Sequence, residues 1–290
     1  MMFETVLEKA YAKINFGLKV LPKREDGFHN IESIFQTIDL YDELIVSWNE
    51  KKECKVHCEF MDLPAENTLT KAYKAFVEIA GVEVPGVNVE LKKGIPSGGG
   101  LGGGSSDAAA LIRVLENICG ISLSNLQLDY VASKTGSDVF FFMHGDKNGR
   151  SCALVSGRGE IVKEIAPRKD LILLLIFPKV SSSTKEAYSL VDEAYNRGEE
   201  VEGPDFSELE FVYNKSVQNW SFKNTFTPVI SKVYPEIGKA IGELEKLGCC
   251  YAEMSGSGST VFGVFTLIQQ AEFACNLLAA TWDCKLVRTI

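Results

Sequence analysis

Residues 95–107 read Ile-Pro-Ser-Gly-Gly-Gly-Leu-Gly-Gly-Gly-Ser-Ser-Asp, with six glycines among the seven residues 98–104, and pass straight into Ala108-Ala109-Ala110-Leu111-Ile112-Arg113-Val114-Leu115. No other segment restricts the fold as much. Glycine reaches left-handed and mirror-extended backbone that a Cβ forbids, so successive N–H groups along such a run converge on one anion. A helix that starts immediately afterwards aims its unpaired N–H groups and the positive end of its dipole at the same point. Pro96, Ser97, Gly98, Gly99, Gly100, Leu101, Gly102, Gly103, Gly104, Ser105 and Ser106 are therefore the candidate phosphate-binding residues. Ser105-Ser106-Asp107 is expected to cap a helix over 107–119. No Gly-Lys-Ser/Thr closes the run, and no Gly-x-Gly-x-x-Gly follows a clear strand, so it is neither a P-loop nor a dinucleotide fingerprint. The alternative is a flexible linker, but linkers seldom run into an alanine-rich helix behind a cap.

A length of 290 residues suggests two domains. The formal net charge of -9 argues against a nucleic-acid partner, so a phosphate site has to be built locally from backbone amides and a few cations. The longest apolar run, 171–177, suits a buried strand and is too short for a bilayer. Met1-Met2-Phe3-Glu4 lacks the pattern of a secretory signal, and a cytoplasmic protein is expected. The eight cysteines have no repeated metal-ligand spacing and the chain has three histidines, so no metal site is assigned.

Alternation over 7–20 predicts a strand with Lys13 and Asn15 on one face. Further strands are expected at 34–40, 42–48, 56–60 and 87–91, the last delivering the chain to the glycine run. Helical spacing covers 67–80 and 124–134. Gly157-Arg158-Gly159-Glu160 reads as a turn between two short strands. Beyond the strand at 171–177, helices are expected from about 184, around 207–214 and over 234–247. The tail reads as strand, glycine loop, strand, helix, strand, which makes the second half α+β.

Three places carry chemistry on residue type. Asp138 is approached by the turn at Gly136-Ser137 and precedes Val139-Phe140-Phe141-Phe142, so its carboxylate is either a helix cap or a group held for work. Beside Lys13 it would suit hydroxyl activation, the carboxylate taking the proton and the ammonium balancing the alkoxide. The loop Met254-Ser255-Gly256-Ser257-Gly258-Ser259 is either a tight hairpin or a second backbone contact to phosphates. Phe28-His29, after an Asp-Gly turn, is either a packed surface pair or a corner that stacks on a heterocycle and bonds its edge.

Taken together, the Lys13 strand, the 96–106 loop with its Gly-Leu-Gly-Gly-Gly-Ser-Ser core and the 254–259 loop resemble the GHMP kinase superfamily. Ala12-Lys13-Ile14-Asn15, Asp26-Gly27-Phe28-His29-Asn30-Ile31, Gly136-Ser137-Asp138-Val139 and Ser255-Gly256-Ser257-Gly258 narrow the resemblance to its non-mevalonate isoprenoid branch. The resemblance implies an α+β, two-domain GHMP kinase fold: a ribosomal protein S5 domain 2-like domain over 1–163 and a ferredoxin-like domain over 164–290. It implies transfer from ATP, with Mg²⁺, to the 2-hydroxyl of a cytidine diphosphate-linked methylerythritol, and no nucleic-acid or membrane partner. Lys13 and Asp138 fall on the catalytic pair, with Asp138 as base. Asn15, Phe28, His29 and Tyr188 fall on substrate contacts, Tyr188 following Val180-Ser181-Ser182-Ser183-Thr184 and stacking on the cytosine from the other side. The adenine is expected near 67–69, and Asn224 matches an asparagine usual in the second domain. The chain departs from the pattern at Phe140, where proline is common, at Phe28, where tyrosine is usual, and at the insertion-like Asp146-Lys147-Asn148-Gly149.

Overall fold

A computed structural model describes residues 3–59, 61–180 and 182–290. The end of the strand expected at Phe60, the first two residues and Ser181 of the serine-rich segment lie outside the described residues. In chain order the elements begin with β1 (Val6–Lys23), β2 (His29–Asn49), β3 (Cys54–Cys58), α1 (Thr68–Ile79), β4 (Gly86–Lys92) and α2 (Gly103–Cys119). Next come α3 (Asn125–Thr135), α4 (Ser137–Met143), β5 (Cys152–Ser156), β6 (Ile161–Glu164), β7 (Ile172–Phe177) and α5 (Thr184–Asn196). The chain closes with α6 (Leu209–Tyr213), α7 (Phe226–Val233), α8 (Pro235–Lys246), β8 (Tyr251–Met254), β9 (Val261–Phe265), α9 (Ile268–Leu278) and β10 (Asp283–Arg288).

The residues form two compact units that interleave along the chain. The first holds the described residues of Met1–Ala12, Leu40–Ser97 and Gly102–Ser151; the second holds Lys13–Asp39, Gly98–Leu101 and those of Cys152–Ile290. In the first unit, Glu43–Asn49 of β2 pairs antiparallel with Gly86–Lys92 of β4, and β3 runs parallel to β4 on its other side. Helix α2 packs against α1 and α4, and α3 against α1 and α4. The middle of α2 is apolar and fully buried, from Ala108 through Ile112 and again at Val114 and Leu115. Each such Leu, Ile or Val contributes roughly 1.5–3 kcal/mol by leaving water, which fixes the helix whose first turn follows the glycine run.

In the second unit, Ser33–Gln36 of β2 pairs antiparallel with Cys152–Val155 of β5, and β5 pairs in turn with β6. A separate antiparallel sheet has the order β10-β7-β9-β8. Taken in sequence order these strands run 4-1-3-2, with helices between the first and second and between the third and fourth: the ferredoxin-like arrangement. β7, Ile-Leu-Leu-Leu-Ile-Phe, is central and buried nearly throughout, so it reads as a continuous apolar run instead of alternating.

Two departures from sequence expectation have plain causes. The strands expected at 34–40 and 42–48 are one 21-residue strand that runs through the expected gap at Tyr41, and Asp42 just beyond it is buried and ion-paired inside the strand. Helix α7 is not expected from the sequence, since Pro228 argues against a helix; it sits in the first turn, where its missing N–H has no helical acceptor to lose.

The core of the second unit is aromatic. Phe16 meets Trp220 edge-on at 4.9 Å and Phe262 at 5.9 Å, with Tyr213 at 5.7 Å. Tyr213 is fully buried, and burial pushes its phenol far above the usual range, so it stays a neutral donor. Its hydroxyl donates to the Gln36 side-chain oxygen and accepts from the Arg168 backbone N–H at 2.8 Å. Gln36 in turn donates to the Arg168 carbonyl at 2.5 Å. Tyr213→Phe removes one hydroxyl and strands both partners, so urea unfolding is expected to show a loss of about 1–3 kcal/mol with an unchanged denaturant slope. A loss within error of zero would mean that Gln36 and Arg168 find other partners.

Candidate active site

The glycine run is divided between the units: residues 98–101 belong to the second and 95–97 with 102–106 to the first. In the second unit, Gly98 and Gly100 hold φ of +71° and +75°, the left-handed region that favours glycine. Gly100 is restricted twice over, because a Cβ there would run into the Ser255 carbonyl oxygen. The Ser255 hydroxyl donates to the Gly100 carbonyl at 3.1 Å, and the Thr260 N–H to the Gly99 carbonyl at 3.2 Å. The second glycine loop is thus packed backbone-to-backbone on the first. It is held there by Asn224, which is buried and whose side-chain amide donates at 2.8 Å to both the Met254 and Gly256 carbonyls. The Asn224 side-chain oxygen accepts from the Phe226 N–H at 3.0 Å, so the residue matched only by family pattern has a direct structural task.

Lys13 and Asn15 project from β1 on the face opposite Ala12, Ile14 and Phe16, and all five are buried. A buried ammonium needs partners. Lys13 Nζ donates to Asn15 Oδ1 at 2.8 Å and lies 4.6 Å from the centre of the Phe35 ring. Asn15 Nδ2 donates to the Ser33 hydroxyl at 3.3 Å, and Ser33 donates to the Gly17 carbonyl. The Lys13 backbone N–H donates to the Leu101 carbonyl at 2.9 Å. Lys13, Asn15, residues 98–101 and the second glycine loop therefore come together. Ser33 was missed by sequence reasoning, because a lone serine in a strand carries no spacing signal, whereas Ser255 was named only as part of the second glycine loop and not for its own hydroxyl.

In the first unit, α2 begins at Gly103, four residues before the start expected from the sequence. Ser105, Ser106 and Asp107 are inside its first turns, and the cap is Gly102 at φ +73° with no side-chain hydrogen bond. The expected Ser-Ser-Asp cap is corrected on this point: glycine at the cap contributes no acceptor, so the first-turn N–H groups are not consumed by a capping side chain. Such N–H groups are what an anion would use.

A buried charge cluster sits just upstream. Both Gly94 and Ile95 donate backbone N–H bonds of 2.7 Å to Asp42 Oδ1. Lys93 Nζ bonds Asp42 Oδ2 and lies 3.2 Å from Asp107 Oδ2. Burial pushes the Asp107 carboxyl well above the usual carboxylate range, Lys93 pulls it down and Asp42 pushes it up again. For Lys93, burial favours loss of the proton, yet the two carboxylates more than offset this and its pKa is raised. Asp107 Oδ1 is buried without a hydrogen-bond partner among the described residues. The signal for the cluster was present as single charges at 42, 93 and 107, but their spacing in sequence does not reveal that they meet.

Asp138 lies in the first turn of α4, whose cap is Gly136, so it is not itself the cap. It is half-buried, and the residues after it, Val139, Phe141 and Phe142, bury the helix against α2 and α3. Beside α1 a cavity of about 680 Å³ is lined by Val56, Leu63, Pro64, Asn67, Thr70 and Val89. Asn67 caps α1 by accepting from the Thr70 N–H at 3.1 Å and donates to the Pro64 carbonyl at 3.0 Å, which shapes the rim.

Phe28 and His29, in the second unit, differ in setting. Phe28 is about half exposed, 48%, with the Arg158 guanidinium 3.7 Å from its ring centre. His29 is buried, its Nε2 2.7 Å from Asp192 Oδ1, and the Tyr188 ring stacks on it at 4.8 Å and 24°. Tyr188 therefore lies on His29, where the resemblance placed it across a bound base. Asp192 and Arg158 were not singled out from the sequence.

A family model described as GHMP kinases N terminal domain matches residues 67–146, and one described as GHMP kinases C terminal matches 213–283. A 4-diphosphocytidyl-2-C-methyl-D-erythritol kinase of Treponema pallidum (strain Nichols) is 38% identical over 287 residues, covering 97% of this chain and 96% of its own length. One of Thermodesulfovibrio yellowstonii (strain ATCC 51303 / DSM 11347 / YP87) is 36% identical, covering 97% of each. A crystal structure of 4-(cytidine 5'-diphospho)-2C-methyl-D-erythritol kinase matches with a TM-score of 0.75 at 28% identity, over 98% of this chain and 99% of that one. Homoserine kinase from Cytophaga hutchinsonii ATCC 33406 matches with a TM-score of 0.68 at 16% identity, over 100% and 97%, a likeness of fold alone.

Asp107→Asn keeps the side-chain shape and removes the charge. As pH falls, the raised wild-type carboxyl takes up its proton earlier in the folded state than in the unfolded chain, where Asp titrates near ~3.9. Its contribution to stability therefore declines as pH rises above that value, and the variant lacks the decline. The melting temperature of the variant relative to wild type is expected to be higher at about pH 7.5 than at about pH 4.5. A difference that is flat or runs the other way would exclude a raised Asp107.

Proposed function

Because the chain belongs to the 4-diphosphocytidyl-2-C-methyl-D-erythritol kinase family of the GHMP kinases, we propose that it moves the γ-phosphoryl group of ATP to the 2-hydroxyl of 4-diphosphocytidyl-2-C-methyl-D-erythritol. The observation that carries this reading is the buried Lys13 ammonium, fixed by Asn15 and Phe35 on a strand whose N–H bonds the glycine loop at Leu101. Phosphoryl transfer asks chiefly for positioning and charge neutralisation, and such an ammonium beside converging backbone amides supplies both.

In this reading Asp138 takes the proton of the 2-hydroxyl. The freed oxygen bonds the γ-phosphorus as the bond to the oxygen kept by ADP breaks, and Lys13 balances the charge around the acceptor oxygen. Residues 98–106 receive the triphosphate on backbone N–H groups, with Pro96 and Ser97 leading into the cradle. The cavity at Val56 and Asn67 receives the adenine, an assignment supported by its mixed lining, with Val56, Leu63, Pro64 and Val89 for the ring faces and Asn67, Thr70 and Asn88 for polar edges, and by its volume of about 680 Å³. Asn15, Phe28, His29 and Tyr188 contact the cytidylyl substrate. The division into domains 1–163 and 164–290 belongs to the same proposal, and the two family-model matches fall one within each.

Mg²⁺ is expected with ATP, where it supplies neutralisation of the phosphate oxygens. Among the described residues, no group of three or more His, Cys, Asp or Glu is placed to hold a metal. The donor set fits an ion carried chiefly by the nucleotide, with the Ser105 and Ser106 hydroxyls as the chain's own oxygens. A cytoplasmic setting is also proposed: all eight cysteines are free thiols, as a reducing compartment keeps them. No helix among the described residues is long and apolar enough to cross a membrane.

The test is turnover of ATP with the cytidylyl substrate, mevalonate and homoserine offered separately. The cytidylyl substrate is expected to be preferred, and Asp138→Asn to lower kcat by about 10²–10⁴-fold with the melting temperature kept. Preference for either small alcohol would overturn the substrate, and a variant retaining most of the rate would overturn the base. Chelation of divalent cations by EDTA is expected to stop turnover while leaving the melting temperature of the nucleotide-free protein unchanged; a fall in that temperature would reveal a resident structural ion instead.

A further inference from the structure

We propose that Asp192 is a positioning residue that sets the tautomer of His29 and thereby makes the base corner select a 4-amino over a 4-oxo pyrimidine. The inference rests on the cytidylyl reading of the substrate and adds to it a residue outside that reading. Helix α5 carries Tyr188 and Asp192 four residues apart, so both fall on one face of the helix. From that face they hold the imidazole at two points. Tyr188 stacks on the ring plane at 4.8 Å, and Asp192 Oδ1 meets its Nε2 edge at 2.7 Å. Lys23 Nζ lies 3.3 Å from the other carboxylate oxygen. Burial works to raise the Asp192 carboxyl, but the bonds from His29 and Lys23 outweigh it and hold it below its usual range.

An ionised carboxylate has no proton to give, so the bond at Nε2 runs from imidazole N–H to oxygen. In the neutral ring the other nitrogen then keeps its lone pair: Nδ1 is an acceptor. An acceptor there suits the exocyclic amine of a 4-amino pyrimidine and opposes the carbonyl oxygen of a 4-oxo one. Rejection is the stronger half of this device, since a base that offers an acceptor to an acceptor leaves both lone pairs unpaired in a buried place. His29 is only 8% exposed, so water does not readily relieve the mismatch.

Asp192→Asn is the informative variant. Its amide keeps the shape and can donate to Nε2, which moves the proton to Nδ1 and presents a donor where the wild type presents an acceptor; a carboxylate-to-amide change beside a catalytic histidine gives the wrong tautomer in the same way. The experiment compares wild type, Asp192→Asn and Asp192→Glu on the cytidylyl substrate and on the same diphosphate carrying uridine, with the KM for ATP measured in parallel. Nitrogen-15 NMR of His29 reports which ring nitrogen carries the proton. Wild type is expected to prefer the cytidine compound and to show an acceptor-type Nδ1. In Asp192→Asn the preference is expected to fall by about tenfold or more, chiefly through KM for the cytidine compound, with KM for ATP unchanged and the proton moved to Nδ1. Asp192→Glu is expected to restore part of both. Wild type that turns over the cytidine compound, together with an Asn variant that keeps its preference and its Nε2 proton, would overturn the role of Asp192 alone. Wild type inactive on the cytidine compound would instead overturn the underlying substrate reading.

Discussion

The two glycine loops touch through backbone, and much of the second unit is arranged to permit that. Gly100 can approach Ser255 because neither a Cβ nor a right-handed backbone intervenes. The approach lets the Ser255 hydroxyl and the Thr260 N–H satisfy the Gly100 and Gly99 carbonyls, which would otherwise compete with an anion for the local electrostatic field. Glycine loses more conformational freedom on folding than other residues. A run of six is therefore ordered only if something external holds it, and the external hold here is a second loop fixed in turn by Asn224.

Charge does for the first unit what close packing does for the second. Asp42 sits inside a buried strand and uses one carboxylate oxygen to bind the two N–H groups at the entrance to the glycine run. Lys93 joins it to Asp107 on α2, so strand, entrance and helix share one cluster. Two carboxyls and one ammonium share a buried place, where burial and Asp42 push the Asp107 carboxyl toward its neutral form, which is a poor choice for stability alone. Its use lies in geometry: residues 94–95 before the run bond Asp42, Asp107 after it bonds Lys93, and Lys93 joins the two carboxyls.

The sequence made the repetitive parts legible. The elements of the second sheet were read from an apolar β7 and the strand-loop-strand-helix-strand tail, while their ferredoxin-like order came with the family resemblance, and helical spacing from 67 agrees with α1 starting at Thr68 behind the Asn67 cap. Lys13 and Asn15 were legible as neighbours on one strand face, and the glycine run as left-handed backbone entering a helix, because each combines an unusual residue with a constrained neighbour. Legibility failed where meaning depends on a partner far along the chain. The buried role of Asp42 is hidden in the sequence because its partner Lys93 is 51 residues away. Pro228 hides a helix because position within the first turn, not residue type, decides whether proline is tolerated. The start of α2 is misplaced from sequence because Ser-Ser-Asp has the composition of a cap, yet a left-handed glycine already turns the chain.

Asn15 ties the Lys13 ammonium and the glycine loops into one set. Its single side-chain oxygen accepts from the Lys13 ammonium at 2.8 Å and lies 3.4 Å from the Ser255 hydroxyl, which itself donates to Gly100. The ammonium and both glycine loops are thus referred to one atom on one strand. The backbone bond from Lys13 to Leu101 closes the same circuit from the other end. A shift of the loop would stretch bonds that also hold the ammonium, so the place where phosphate oxygens would collect and the place where a cation waits keep a fixed separation. For a reaction governed by positioning and charge, that shared reference matters more than the strength of any one contact, because misplacing either group by an ångström forfeits most of the advantage of having both.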